Sequence, residues 1–303
     1  MLTPHDILWS VVFPALLAVA AVVSVYGGFR RRGDRAAQPW GPALAVAGGF
    51  LFAYVGIAGR PPLPPVAAQG WLVYAGAAAV LVAVIATMLP PRGRLIDTVL
   101  SAALLVVTAW LLSRPRAEAI DPVTMEKIDP RVFWACTIGS AVAMVAWYFA
   151  MEWLARRRPG GGLPLLLSAA AGSAALVLVD SGSMSLGQIT GGIALPLLVL
   201  AAAGWWFGDL SLARGGALAV AVTLLGMLLA GYYYAELTPR NLAILAGAPL
   251  AAWLAEIPPL RRRPRAGFAV AAVVTLAVLT IAVAPAIKGL HKTMKEQTES
   301  TAY

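Results

Sequence analysis

The sequence predicts an all-α, polytopic transmembrane helix bundle of about ten spans, and three observations carry that expectation. Ten apolar stretches fill almost the whole chain, each close to the roughly 20 residues that cross a hydrocarbon core. Of the 303 residues, 60% are hydrophobic and 12% are charged, whereas a soluble domain carries about 25% charged residues. Arginine clusters fall in every second loop. The apolar runs are continuous rather than alternating, which excludes a β-barrel. A helix is the other structure that satisfies its own backbone in lipid.

The spans follow in order. The first, 7–27, has no Lys or Arg before it and is closed by Arg30, Arg31, Arg32 and Arg35. It lacks the positive start of a secretory signal peptide. The second, 42–58, follows Trp40 and is short. A Pro-rich segment at 59–69, expected to be a stiff extended connector, leads to the third span at 70–89. The fourth, 95–113, carries Asp97 in its first turn, where a carboxylate suits the helix dipole. The fifth, 132–155, is introduced by Asp129 and Pro130, a cap followed by a first-turn proline, and is closed by Arg156, Arg157 and Arg158. The sixth is 163–179. The seventh, 187–207, looks broken, because Gly191, Gly192 and Pro196 weaken its first half. The eighth, 213–234, ends in three tyrosines. The ninth, 240–257, is short and holds Gly247 and Pro249, so nine spans is the alternative count. The tenth, 267–286, follows Arg261, Arg262, Arg263 and Arg265. The sequence therefore divides into one transmembrane domain, 1–287, and a polar tail, 288–303, expected to be mobile.

Charge sets the direction. Most of the 23 Lys and Arg residues lie in the loops after the odd-numbered spans. The positive-inside rule places those loops in the cytoplasm and both termini outside. Trp9, Trp71, Trp110 and Trp134 then fall at outer ends. Trp40, Trp153, Trp205, Trp206 and Trp253 fall at inner ends, the depth at which amphipathic rings settle. Trp147 alone sits deeper. The net charge of +9 is explained by topology rather than by nucleic acid. Ten spans would also divide into two oppositely oriented halves of five, as in many transporters, but no matching residues support a repeat.

Several chemistries are excluded by what the chain lacks. The two histidines, His5 and His291, lie at the termini. No pair of axial ligands is available for a haem between helices, no His–carboxylate cluster for zinc, and no base for a serine hydrolase. There is no Gly-rich phosphate loop followed by Lys. No cofactor and no metal are expected, and a non-enzymatic role is favoured over an enzymatic one. The lone Cys136 lies inside the fifth span, forms no intrachain disulfide, and reads as a small buried apolar residue. The pair Gly208-Asp209 resembles part of the signature of intramembrane aspartyl proteases. However, Asp209 falls in a loop and no second aspartate stands inside a neighbouring span.

Charge inside a membrane usually marks function. The candidates Asp97, Glu152, Asp180 and Glu256 all lie within about one turn of a span end. Each has a structural explanation; Glu152, for example, is spaced for an i,i+4 pair with Arg156. Two candidate sites remain. One is a substrate site at the interrupted seventh and ninth helices, made of Gln188, Thr190, Gly191, Gly192, Pro196, Gly247 and Pro249. The other is an outer rim of Asp180, Glu236 and Arg240. The expected function is a small-molecule permease of unknown substrate. The alternative is a non-catalytic subunit or assembly factor with other membrane subunits as partners, and a lipid-modifying enzyme ranks last. The Arg-over-Lys bias suggests a GC-rich genome and hence a bacterial cytoplasmic membrane, with the lipid bilayer as the main partner.

Overall fold

The structure, a computed structural model, describes residues 8–24, 40–65, 67–88, 94–117, 129–208 and 210–300. Every regular element among them is helical. Helix α1 (Leu8–Val22) opens with a π-helical turn. It is followed by α2 (Trp40–Ala58), α3 (Gly70–Met88), α4 (Arg94–Ala117) and α5 (Pro130–Arg157). Next come α6 (Gly162–Asp180), α7 (Met184–Phe207) and α8 (Gly216–Tyr234). Helix α9 begins as an α-helix at Pro239–Gly247 and continues as a 3-10 helix at Ala248–Glu256. A single turn, Pro258–Arg261, leads to α10 (Pro264–Ser300). Seven of these helices (α2, α4, α5, α6, α7, α8 and α10) are long and apolar enough to cross a membrane, while α1 and α3 are shorter apolar segments among the described residues.

Local chemistry starts several helices. Asp129 Oδ1 accepts the Arg131 N–H at 2.8 Å, with Pro130 in the first turn, as the sequence predicts. Thr238 Oγ1 caps α9 by accepting the Asn241 N–H, with Pro239 at its start. Ser183 caps α7 from the three-residue turn after α6. Each cap satisfies a backbone donor that the first turn leaves without a partner.

Helix α8 is the centre of the bundle, with 94% of its span buried. It packs against α2 through α7 and against α9. Helices α4, α5 and α10 bury only about a third of their spans or less, and their outward faces carry large apolar side chains such as Val132, Ile138, Val142 and Val273. Apolar side chains suit a surface bathed in hydrocarbon. The closest pair is α6 and α7, whose backbones meet through small residues. A Cβ on Gly187 would collide with Val179, and one on Gly204 would press into the backbone of Gly160 and Gly161. Such approach is the usual basis of helix association where water supplies no driving force.

The helix ends gather at two poles. At one pole the Gly160 N–H donates to the Leu210 carbonyl at 2.6 Å, Ser211 Oγ donates to the Ala155 carbonyl, and Arg158 reaches Glu256. At the other, Tyr234 Oη donates to the Leu112 carbonyl at 2.6 Å and Thr137 Oγ1 to Ser113 Oγ at 2.8 Å. Arg156–Arg158, Arg214 and Arg261–Arg265 therefore share one basic pole. Arg30, Arg31, Arg32, Arg35, Arg92, Asp209 and His5 lie outside the described residues.

Three expectations are corrected. The seventh helix is not interrupted: α7 runs as α-helix from Met184 to Phe207. Its Pro196 ring packs where a Cβ on Gly49 of α2 would stand, so neighbours hold the helix together. The last helix does not end near 286 but continues to Ser300. Its polar end is rich in Lys, Glu, Gln and Met, which favour helix without any apolar face. Cys136 is half-buried rather than buried.

Candidate functional site

Two i,i+4 pairs, Asp97 with Ser101 on α4 and Tyr148 with Glu152 on α5, each place their members on one helix face. The antiparallel packing of α4 and α5 brings the pairs together near the basic pole. Asp97 is 7% exposed, Ser101 1% and Glu152 3%. Tyr148 lies beside Ser101 and within electrostatic range of both carboxylates. Arg156 and Arg214 bring positive charge to Asp97.

Glu152 is the hub. Its Oε1 accepts Arg156 Nε and Nη2, each at 2.8 Å. The Arg214 backbone N–H donates to both carboxylate oxygens, at 3.0 and 2.9 Å. That N–H points inward because Arg214 takes a left-handed conformation (φ 59°), followed by Gly215 at φ 147°. A left-handed arginine is costly, and a buried carboxylate is costly without donors. Each offsets the other. The arrangement ties the loop before α8 to α5. It is a latch, in which both carboxylate oxygens accept from the Arg214 N–H and Oε1 also accepts from Arg156.

A second network lies alongside. Glu256 ends α9 and accepts Arg158 Nε at 2.6 Å, with Arg157 at 3.8 Å. Arg158 also donates to the Ala255 carbonyl. Trp153 and Trp253 stack at 4.2 Å and 5°, and the Arg157 guanidinium covers the Trp153 ring at 3.9 Å. Glu256 thus pairs with the arginines after α5, not with the 261–265 run that follows it in sequence.

The space a ligand would fill lies elsewhere. A cavity of about 570 Å³ opens between α5, α8 and α9, lined chiefly by Ala143, Met144, Ala146, Leu229, Ala243 and Gly247. Alanines and a glycine on facing helices leave this volume because no side chain is large enough to fill it. Two irregular helix segments border it. Helix α8 makes a π turn at Ala221–Leu225, and Leu225 lines the cavity. Helix α9 changes to 3-10 geometry just past Gly247. Pro249 explains that change, since it has no N–H for the carbonyl four residues earlier. Neighbours take up the carbonyls nearby: Trp147 Nε1 donates to Ala246 O at 2.8 Å and Thr275 Oγ1 to Ala248 O at 3.2 Å.

The residues expected to form one substrate site fall into two groups. On α7, a Cβ on Gly192 would strike Ala53 of α2, Gly191 faces Ala175 of α6, and buried Thr190 Oγ1 donates to the Leu186 carbonyl of its own helix. Gln188 is half-buried and Pro196 buried in the same seam. On α9, Gly247 lines the cavity and Pro249 is buried beside it. The outer-rim residues Asp180, Glu236 and Arg240 are all exposed. Asp180 rests against Gly289 of α10, and Glu236 sits in a left-handed turn outside α9 and, among the described residues, forms no ion pair with Arg240. That Asp97 comes within electrostatic range of Glu152 was not legible in the sequence. A signal for the cavity was present: small residues recur at 143, 146 and 150 on one face of α5 and at 243, 246 and 247 on α9.

Comparison of the chain with protein-family models, with curated proteins and with solved structures finds no match.

Proposed function

We propose that the chain is a ten-span permease of a bacterial cytoplasmic membrane, with both termini outside, that carries a small apolar or amphipathic molecule through the cavity between α5, α8 and α9. The cavity itself carries this reading. Its volume of about 570 Å³ lies within the roughly 300–1,000 Å³ usual for small-molecule sites. Helix irregularities at two of its walls support it, since π turns and broken spans recur at functional sites in membrane helices. The lining offers almost no polar groups, so an ion or sugar would meet no partners there. Ser140 Oγ is already bonded to Tyr233 Oη at 2.7 Å, and Trp147 to Ala246. A solute rich in hydrocarbon fits.

The test is uptake of a panel of labelled apolar solutes into liposomes holding the purified protein. Gly247→Leu is the decisive variant, because a Cβ at 247 meets nothing within 4 Å and a leucine there fills the cavity without disturbing its neighbours. Uptake by the wild type and at least about tenfold less by G247L is expected; equal uptake by both would remove the cavity from the transport path. A second reading, a non-catalytic subunit, is favoured by one observation: the polar groups at the cavity are satisfied within the chain. Under that reading a partner helix fills the groove, and purification from native membranes yields a stoichiometric partner.

A further inference from the structure

The basic pole holds a second cavity, of about 580 Å³, that the transport reading leaves unused. Five helices converge on it: the end of α5, the start of α6, the end of α7, the 3-10 segment of α9 and the start of α10. Its two surfaces differ in kind. Leu163, Leu166 and Phe268 form an apolar wall, whereas Arg157, Arg158 and Arg265 stand on the lining toward the basic pole. An adjoining pocket adds Arg261 and Arg262 and the carboxylate of Glu256. Glu256 is engaged by Arg158 and Arg157, and the two pockets together are lined by five arginines and one carboxylate. Helix α6 also begins on this cavity, at Gly161, without a side-chain cap. Trp205 flanks the opening and is exposed.

We propose that this cavity binds an anionic phospholipid, its phosphate held among Arg157, Arg265 and their neighbours and one acyl chain laid along Leu163, Leu166 and Phe268. Charge complementarity requires an anion, because the arginine excess is otherwise uncompensated at a membrane surface. The apolar wall requires hydrocarbon, which a free phosphate does not supply. Basic pockets between helix ends are the usual sites of anionic headgroups, and a tryptophan at the opening belongs at headgroup depth.

The test uses the full chain in detergent with mixed micelles of phosphatidylglycerol or phosphatidylcholine, and counts retained lipid by native mass spectrometry. Phosphatidylglycerol is expected to be retained at least about fivefold over phosphatidylcholine, the ratio expected of a single lost or gained basic contact near a membrane surface. Arg265→Gln lowers that retention about fivefold, and Arg265→Lys keeps most of it. Arg265 is exposed, so both variants should melt like the wild type in lipid-free detergent. Arg157→Gln is an independent variant for which the same fall is expected. Equal retention of the two lipids, or unchanged retention in both glutamine variants, overturns the proposal. Inorganic phosphate displacing the lipid at equal concentration would also overturn it, by marking a site for a soluble anion. None of these outcomes depends on transport.

Discussion

At the scale of single residues, Glu152 ties the loop before α8 to α5. It receives two donors from Arg156 and one backbone donor from a strained Arg214. Removing it leaves a buried N–H without a partner and a left-handed arginine with nothing to hold it. Glu152→Ala is expected to cost about 1–3 kcal/mol, the usual loss when a buried hydrogen-bonding group is left without its partner. A lowered melting temperature in detergent checks this. Arg156→Ala is expected to cost less, because its own side chain is 44% exposed and the Arg214 N–H still serves the carboxylate. Equal losses in the two variants would contradict the latch. The i,i+4 pair of Glu152 with Arg156 was legible from spacing alone. The third donor was not, because it comes from a loop some sixty residues away, and only folding gives that loop its turn.

At the scale of elements, glycines distinguish packing from binding. Gly204 of α7 abuts the Gly160–Gly161 backbone, and backbone cannot yield as a flexible side chain can. Gly204→Val forces α6 and α7 apart and is expected to cost about 1–3 kcal/mol, the range for an overpacked core. Gly247→Leu should leave the melt unchanged while blocking the cavity. Thermal unfolding of the two variants side by side tests the contrast, and a matched loss of stability would show that Gly247 also serves packing. The sequence presents the two kinds of glycine alike, which is why α7 reads as interrupted and is not. A proline or glycine pair weakens a helix by propensity, but close packing on α1, α2 and α6 supplies what propensity lacks. The true irregularities are unequal in legibility. The 3-10 segment of α9 follows from Pro249, whereas the π turn of α8 lies in Ala-Val-Thr-Leu-Leu, a run with no breaker at all.

At the scale of the whole molecule, a nearly wholly buried α8 is surrounded by helices that turn apolar faces outward, and the arginines at 156–158, 214 and 261–265 share one pole. The topology proposed here places that pole in the cytoplasm. An alkaline phosphatase fused after Tyr303 is then expected to be active and a green fluorescent protein at the same point dark. The reverse pattern would require an odd number of spans or an inverted bundle. The arginine excess at that pole also suits an anionic leaflet, whose surface potential attracts basic segments.

The sequence by itself determined that the chain is helical with apolar segments suited to a membrane, roughly where most helices begin and end, and which ends are basic. Those properties are local: the length of an apolar run, a cap, a proline and a charge next to a span are set by neighbours along the chain. Only the tertiary structure decided which charged groups come near each other, which glycines are packed and where space remains. Asp97 and Glu152 read as separate interfacial groups until α4 and α5 pair. The cavities exist only because small residues on different helices face each other, a matter of helix rotation and crossing. Rotation leaves little trace in a chain whose spans are apolar on every side, since in lipid the outward face is as hydrophobic as the inward one.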